Sequence, residues 1–162
     1  MAAIDYFLRI DGVEGESTDS KHKGWIDVES WSWGETHAAP HAAGGGGGAG
    51  KVTFQDLHFV AKVSKASPKL FLACASGQHL KEAQLVARKA GKEQHEFLMW
   101  TFSDLLVSGY QTGGTEAESA LPIDSVSLNF AKAQVSYKAQ RPDGSLDAAV
   151  TAGWDVKTNK KV

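Results

Sequence analysis

Three stretches of this 162-residue chain alternate apolar and polar residues with a period of two and then lose phase partway along. Between Trp25 and Glu35 the apolar residues Ile26 and Val28 hold even positions, whereas Trp31 and Trp33 hold odd ones. Val52 and Phe54 give way in the same manner to Leu57 and Phe59, and Val126, Leu128 and Phe130 give way to Val135 and Tyr137. A strand can turn its apolar side chains to the other face only at a bulge or a sharp bend. Three long strands that each switch face midway fit a small closed or nearly closed β-barrel turning its corners, and fit a flat sandwich less well.

The remaining patterns fill in that frame. Ala3 to Asp11 alternates with Ile4, Tyr6, Leu8 and Ile10 on one side, which predicts a half-buried strand. Ser67-Pro68 is a helix start, with Ser67 as cap and Pro68 at the first helical position; Leu70, Phe71 and Cys74 share a face, and Gly77 supplies the stop. Lys81 to Lys89 has the composition of a helix, yet the turn signal Ala90-Gly91-Lys92 and the β-rich run Phe97 to Val107 favour a hairpin, so the segment is read as strand. Gly12 to Gly24 and Gly109 to Pro122 read as polar surface loops, Arg141-Pro142-Asp143-Gly144 as a tight turn, and Gly153 to Lys157 as a final strand. The expected fold is mainly β: a small barrel of about seven or eight strands with one short helix, all within a single domain spanning residues 1–162.

The run from Gly44 to Gly50 is the second constraint. Fixing a residue costs about 1–2 kcal/mol, so ordering seven nearly side-chain-free positions costs on the order of 10 kcal/mol with little to offset it. Such a segment stays mobile or is held by something outside the subunit, which points to assembly. A phosphate cradle at Gly45-x-x-x-x-Gly50-Lys51 lacks the Ser or Thr that would hold magnesium, since Val52 follows, and a strand pattern stands where a helix is required.

Composition narrows the function classes. A formal charge of −2 with interspersed signs offers neither a nucleic-acid face nor a patch for an anionic membrane. No window approaches 18 continuous apolar residues, which excludes a transmembrane helix, and the first residues lack the basic and apolar regions of a standard secretory signal, so folding in the cytoplasm is expected. The single cysteine, Cys74, is expected in the core. His37 and His41 are spaced for zinc only on a helix, which Pro40 disfavours, so no metal or other cofactor is expected. No nucleophile elbow, zinc-protease motif or cysteine pair occurs, and Asp124 and Asp155 read better as strand-end residues than as a catalytic pair, so an enzyme is not expected. The five tryptophans could line a carbohydrate- or peptide-binding cleft, an alternative to packing in the core or at an interface.

Together, Ala3-Ile4-Asp5-Tyr6-Phe7-Leu8, the segment Ile26 to Gly34, Gly50-Lys51-Val52, the helix Ser67 to Gly77, Arg88-Lys89-Ala90-Gly91 and Gly153-Trp154-Asp155 resemble the haemolysin-coregulated protein (Hcp) family of type VI secretion. The resemblance covers nearly the whole chain in order. It implies a barrel of two sheets with a helix on its flank, assembling as homohexameric rings. The rings would stack into a tube within a contractile sheath, leave with the spike protein VgrG and carry small effector proteins in the lumen. It further implies secretion by that route without a cleaved signal peptide. Ser32, with Ser30, must point away from Trp31 and Trp33 in an extended strand, and the resemblance places these serines on the lumen wall. The stretch Ala42, Ala43, Gly44, Gly45, Gly46, Gly47, Gly48, Ala49, Gly50 and Lys51 is then the expected ring-stacking loop.

Overall fold

The first two predicted changes of phase coincide with breaks between strands, and the third falls within one strand, in the computed structural model, which describes residues 4–38, 51–90, 93–117 and 120–162. In chain order the strands are β1 (Ile4–Ile10), β2 (Ile26–Val28), β3 (Ser30–Ser32), β4 (Glu35–His37), β5 (Val52–Phe54) and β6 (Leu57–Lys62). The helix α1 (Ala66–Ser76) follows, then β7 (Leu80–Lys89), β8 (Glu96–Gly113), β9 (Ile123–Tyr137), β10 (Val150–Asp155) and β11 (Lys160–Lys161). Counted through their bulges, with β2 to β4 as one strand and β5 to β6 as another, these segments are eight strands. The fold is therefore mainly β with one helix among the described residues, as expected.

All ladders are antiparallel. β1 pairs with β2 and β7, β7 with β8, and β8 with β9 along most of its length. The first half of β9 pairs with β6 and the second half with β10. β3 pairs with β6, and only Glu29 separates β2 from β3; its backbone N–H donates to the carbonyl of Val60 at 2.8 Å. Through that bend the order of pairings returns to its starting strand. The bend also explains the first phase change, since Ile26 and Val28 face the core before Glu29 and Trp31 and Trp33 lean toward it afterwards.

The β3–β6 ribbon continues past a second irregularity, at Gly34 and Gln55, where the Gln55 N–H donates to the Gly34 carbonyl at 2.8 Å. Beyond it β4 and β5 form a two-stranded arm of their own, with Glu35 opposite Phe54 and His37 opposite Val52. The residues joining the two strands of the arm include Ala42 to Gly50, the expected stacking loop, and His41; these lie outside the described residues. Lys51, the last of that stretch, is described and exposed, and β5 follows it where a phosphate loop would need a helix.

The third change of phase falls in β9 between Phe130 and Ala133, level with a fourth that the sequence reading passed over. β8 turns its core face from Phe102 to Leu105 at Asp104, which has φ of 51°, a left-handed conformation. Both strands change their buried face at the same level of the ladder. The core is led by Leu8, Phe59, Phe102, Leu105, Val126 and Leu128, all fully buried.

Several local expectations are corrected. α1 begins at Ala66, with Lys65 at the cap position and no side-chain cap; Ser67 lies inside the first turn, where its Oγ accepts from the Ser64 N–H at 3.0 Å and donates to Asp124. The stop at Gly77 is as expected, with φ of 67°. Leu70 and Ala73 form the buried side of α1 and Cys74 is half-buried against the core, but Phe71 points outward. β8 runs through Gly109 to Gly113, because a bulge between Val107 and Gly109 lets pairing with β9 continue. β7 is a strand despite its helical composition, since ladders on both sides use its backbone groups and Ala83, Leu85, Val86 and Ala87 are buried.

The Gly12 to Gly24 loop is not simply solvated. It is folded back on itself, with the Gly15 N–H donating to the Gly24 carbonyl and the Ser17 N–H to that of Trp25. It buries His22 to 1% exposure, stacked on Phe7 with ring centroids 4.3 Å apart. The ring nitrogens of His22 face carboxylates of Asp19 at 2.8 Å and Glu96 at 2.6 Å, while Arg88, also buried, reaches Asp19 and Asp5. This loop is pinned by a polar cluster that no periodicity announces.

Candidate functional site

On β3 the Trp31 ring turns inward to meet Tyr6 edge-on at 5.9 Å, so Ser30 and Ser32 project from the other face, and both are exposed. The neighbouring strands repeat the pattern. Leu57, Phe59 and Ala61 of β6 are buried while His58 is exposed, and Val126, Leu128 and Phe130 of β9 are buried while Ser125, Ser127 and Asn129 face outward.

The ladders bring these residues into rows. Ser32 lies opposite His58, His58 opposite Ser127, and Ser127 opposite Gly109. Ser30 lies opposite Val60, Val60 opposite Ser125, and Ser125 opposite Gln111. Directly opposed residues share a face of the sheet, so the two predicted serines belong to a surface four strands wide, built of hydroxyls, amides and small side chains. Gly109 leaves the end of its row low. The sequence reading named only Ser30 and Ser32. The Ser125-Val126-Ser127-Leu128 alternation carried the signal for the others, but register between distant strands decides which hydroxyls become neighbours.

Charged groups stand at the borders of the site, Asp56 at one end of β6 and the exposed Lys62 at the other. Asp56 accepts from Ser108 Oγ at 2.6 Å and Asn129 Nδ2 at 2.9 Å, which ties its carboxylate down at the border of the patch. His58 Nδ1 lies 3.2 Å from Ser127 Oγ. A serine beside a histidine becomes a nucleophile when a third group orients the imidazole, but here Asp56 is committed to Ser108 and Asn129. The face offers several hydroxyls and an amide as hydrogen-bonding groups.

Asp124 and Asp155 are placed in structural roles. Asp124 is buried rather than at a wet strand end, and accepts from Ser67 and from Tyr110 OH at 2.9 Å; burial and then the Asp124 bond push the Tyr110 hydroxyl up from its ordinary value. Asp155 accepts from the Thr158 N–H at 3.0 Å in the turn to β11. The two stand opposite Ala61 and Lys132 in separate ladders and form no pair. His37 is exposed on β4, and no cluster of three or more metal-ligating side chains is found among the described residues.

A second feature is a groove of about 670 Å³ between the β4–β5 arm and the β8–β9–β10 face. Trp33, Phe54, Trp100 and Trp154 form its walls, with Glu35 also lining it. Trp33 meets Trp100 edge-on at 4.8 Å and packs against Phe102 and Phe130, so much of the aromatic surface is used internally. Trp25 and Trp31 are elsewhere, so the five tryptophans do not form one cleft.

Comparison with known proteins gives a consistent result. Residues 7–137 match the family model described as "Type VI secretion system effector, Hcp". Protein hcp1 of Pseudomonas aeruginosa is 46% identical over 159 residues, covering 97% of this chain and 98% of the relative. Among solved structures, Hcp1 of Salmonella typhimurium is 37% identical with a TM-score of 0.80, covering 99% of this chain and all of the other. A structure titled as a type six secretion system protein matches with a TM-score of 0.93 at 30% identity over the same shares.

Proposed function

The chain belongs to the Hcp family of type VI secretion proteins, and from that premise we propose that it is a structural subunit whose homohexameric rings stack into an expelled tube. The serine-rich face lines the lumen and shelters small effector proteins. Its partners are further copies of itself, the contractile sheath, the spike protein VgrG and effector cargo. It folds as one domain in the cytoplasm and leaves by the type VI route, acting through shape rather than catalysis. The stretch from Ala42 to Lys51 mediates contact between stacked rings.

The observation that carries this reading is the row Ser32, His58, Ser127, Gly109 crossing four strands. A wall of serines, a histidine and a glycine offers many weak contacts without fixing one partner, which suits a conduit better than a receptor. The test is Ser32→Trp, which fills the wall at an exposed position. Ring mass unchanged with cargo retention lost supports the reading; retention equal to wild type removes the serine face from it. Deleting Gly44 to Gly48 is expected to leave rings that no longer stack.

A further inference from the structure

The buried His22 of the Gly12 to Gly24 loop faces more acceptors than a neutral imidazole can serve. Its side chain is 1% exposed, and each ring nitrogen meets a carboxylate oxygen, Nδ1 that of Asp19 at 2.8 Å and Nε2 that of Glu96 at 2.6 Å. A neutral imidazole carries one N–H and one bare lone pair. It donates to one carboxylate only, and the other contact then sets lone pair against lone pair. Both contacts hold together when one further proton is present, on the second ring nitrogen or on the Glu96 carboxyl.

The surrounding groups decide which contact gives way when that proton leaves. Asp19 also accepts from the Lys21 N–H at 3.2 Å and from the buried Arg88 of β7 at 2.8 Å. Arg88 reaches Asp5 of β1 and stands opposite Glu96 in the β7–β8 ladder. Asp27 of β2 is pushed up first by burial and then by the charges of Asp19 and Asp5, so the cluster is already crowded with acids. Asp19 is held whether or not His22 donates to it. Glu96, with its side chain 42% exposed, makes no other side-chain hydrogen bond among the described residues, and it is free to turn to solvent.

We propose that the His22–Glu96 bridge is a proton-dependent latch, fastening the end of the loop to the start of β8 while the extra proton is bound and opening as pH rises. The fastened state holds one proton more than the open one. Its population therefore falls with rising pH, by up to about tenfold per pH unit. The tie from Asp19 to Arg88 persists, so the part that loosens is Lys21 to Trp25. Lys23, Gly24 and Trp25 line a hollow of about 710 Å³ together with Lys65 and Lys69 of the helix start, and the latch sets that wall. The device belongs to the single chain and does not depend on ring formation.

The test is amide hydrogen exchange of the full chain between about pH 5.5 and 8.5, where imidazole chemistry is sampled. The reporters are the Gly24 N–H, bonded to the Ser17 carbonyl, and the Trp25 N–H, bonded to that of His22. After correction for the hydroxide-catalysed rate, their protection should fall with pH by up to about tenfold per unit, while the amides of β7 stay level. Glu96→Gln places an amide N–H against the bare Nε2 and needs no extra proton; its protection should be independent of pH. His95 is the other histidine at this end, paired with Glu93 at 3.1 Å, and His95→Gln should keep the wild-type slope. Level protection in wild type overturns the latch, as does a slope that survives Glu96→Gln or vanishes in His95→Gln. Ring nitrogen-15 shifts of His22 and the carboxyl carbon-13 shift of Glu96 that both stay constant over this interval also overturn it.

Discussion

His22 illustrates how much one residue of a polar loop can carry. Its ring is stacked on Phe7, meets Trp25 edge-on at 4.8 Å, and ties the loop to β8 through Glu96. Replacing it with alanine removes that packing and one hydrogen bond to each of Asp19 and Glu96, and His22→Ala should cost about 2–4 kcal/mol in urea unfolding. Its partner Asp19 gives a pH signature. Burial pushes the Asp19 carboxyl up, but hydrogen bonds from Arg88, His22 and the Lys21 N–H and the charge of Arg88 outweigh it and hold the group at about 2 instead of 3.8. A carboxylate depressed in the folded state contributes stability above its ordinary value, and that contribution is lost as pH falls from near 3.8 toward about 2. Asp19→Asn should therefore be less stable than wild type at neutral pH, with the gap narrowing between pH 4 and 2 in parallel denaturation curves. Gly15 is required for a steric reason: a Cβ there would stand 2.5 Å from the Trp25 carbonyl oxygen, so Gly15→Ala should cost about 1–3 kcal/mol by the same assay.

At the scale of elements, the corners decide the shape. Asp104 turns β8 in a left-handed conformation, and its carboxylate is held below the usual range by bonds first from Lys157 and then from His79. Asparagine tolerates that backbone and valine does not. Asp104→Val should lower stability by about 1–2 kcal/mol more than Asp104→Asn, measured by thermal denaturation. The three corners at Glu29, at Gln55 and between Phe130 and Ala133 were legible as lost phase, because each is flanked by large apolar residues on opposite parities. The switch at Asp104 left the same trace in Phe102 and Leu105, hidden within a run read only as β-rich. β7 was legible through its neighbours rather than its own composition, since pairing with β1 and β8 overrides intrinsic helical preference. The helix cap was misread because Ser67 serves the buried Asp124 and not the helix end. The row of serines was half visible: two hydroxyls came from alternation on β3, while His58, Ser125 and Ser127 joined them only through register.

For the whole molecule, the features that a single chain leaves open are the apolar Phe71 and Leu72 on α1, the groove under the arm and the serine-bearing face. The proposed ring would give the serine-bearing face its role as a lumen wall. The proposed assembly leaves no trace in overall composition, because interfaces are built from surfaces that are individually ordinary in charge and polarity. The most direct test is the native solution mass of the purified 17.3 kDa chain across a concentration series. A particle of about six subunits is the predicted result; a fully folded monomer persisting at high concentration would contradict it.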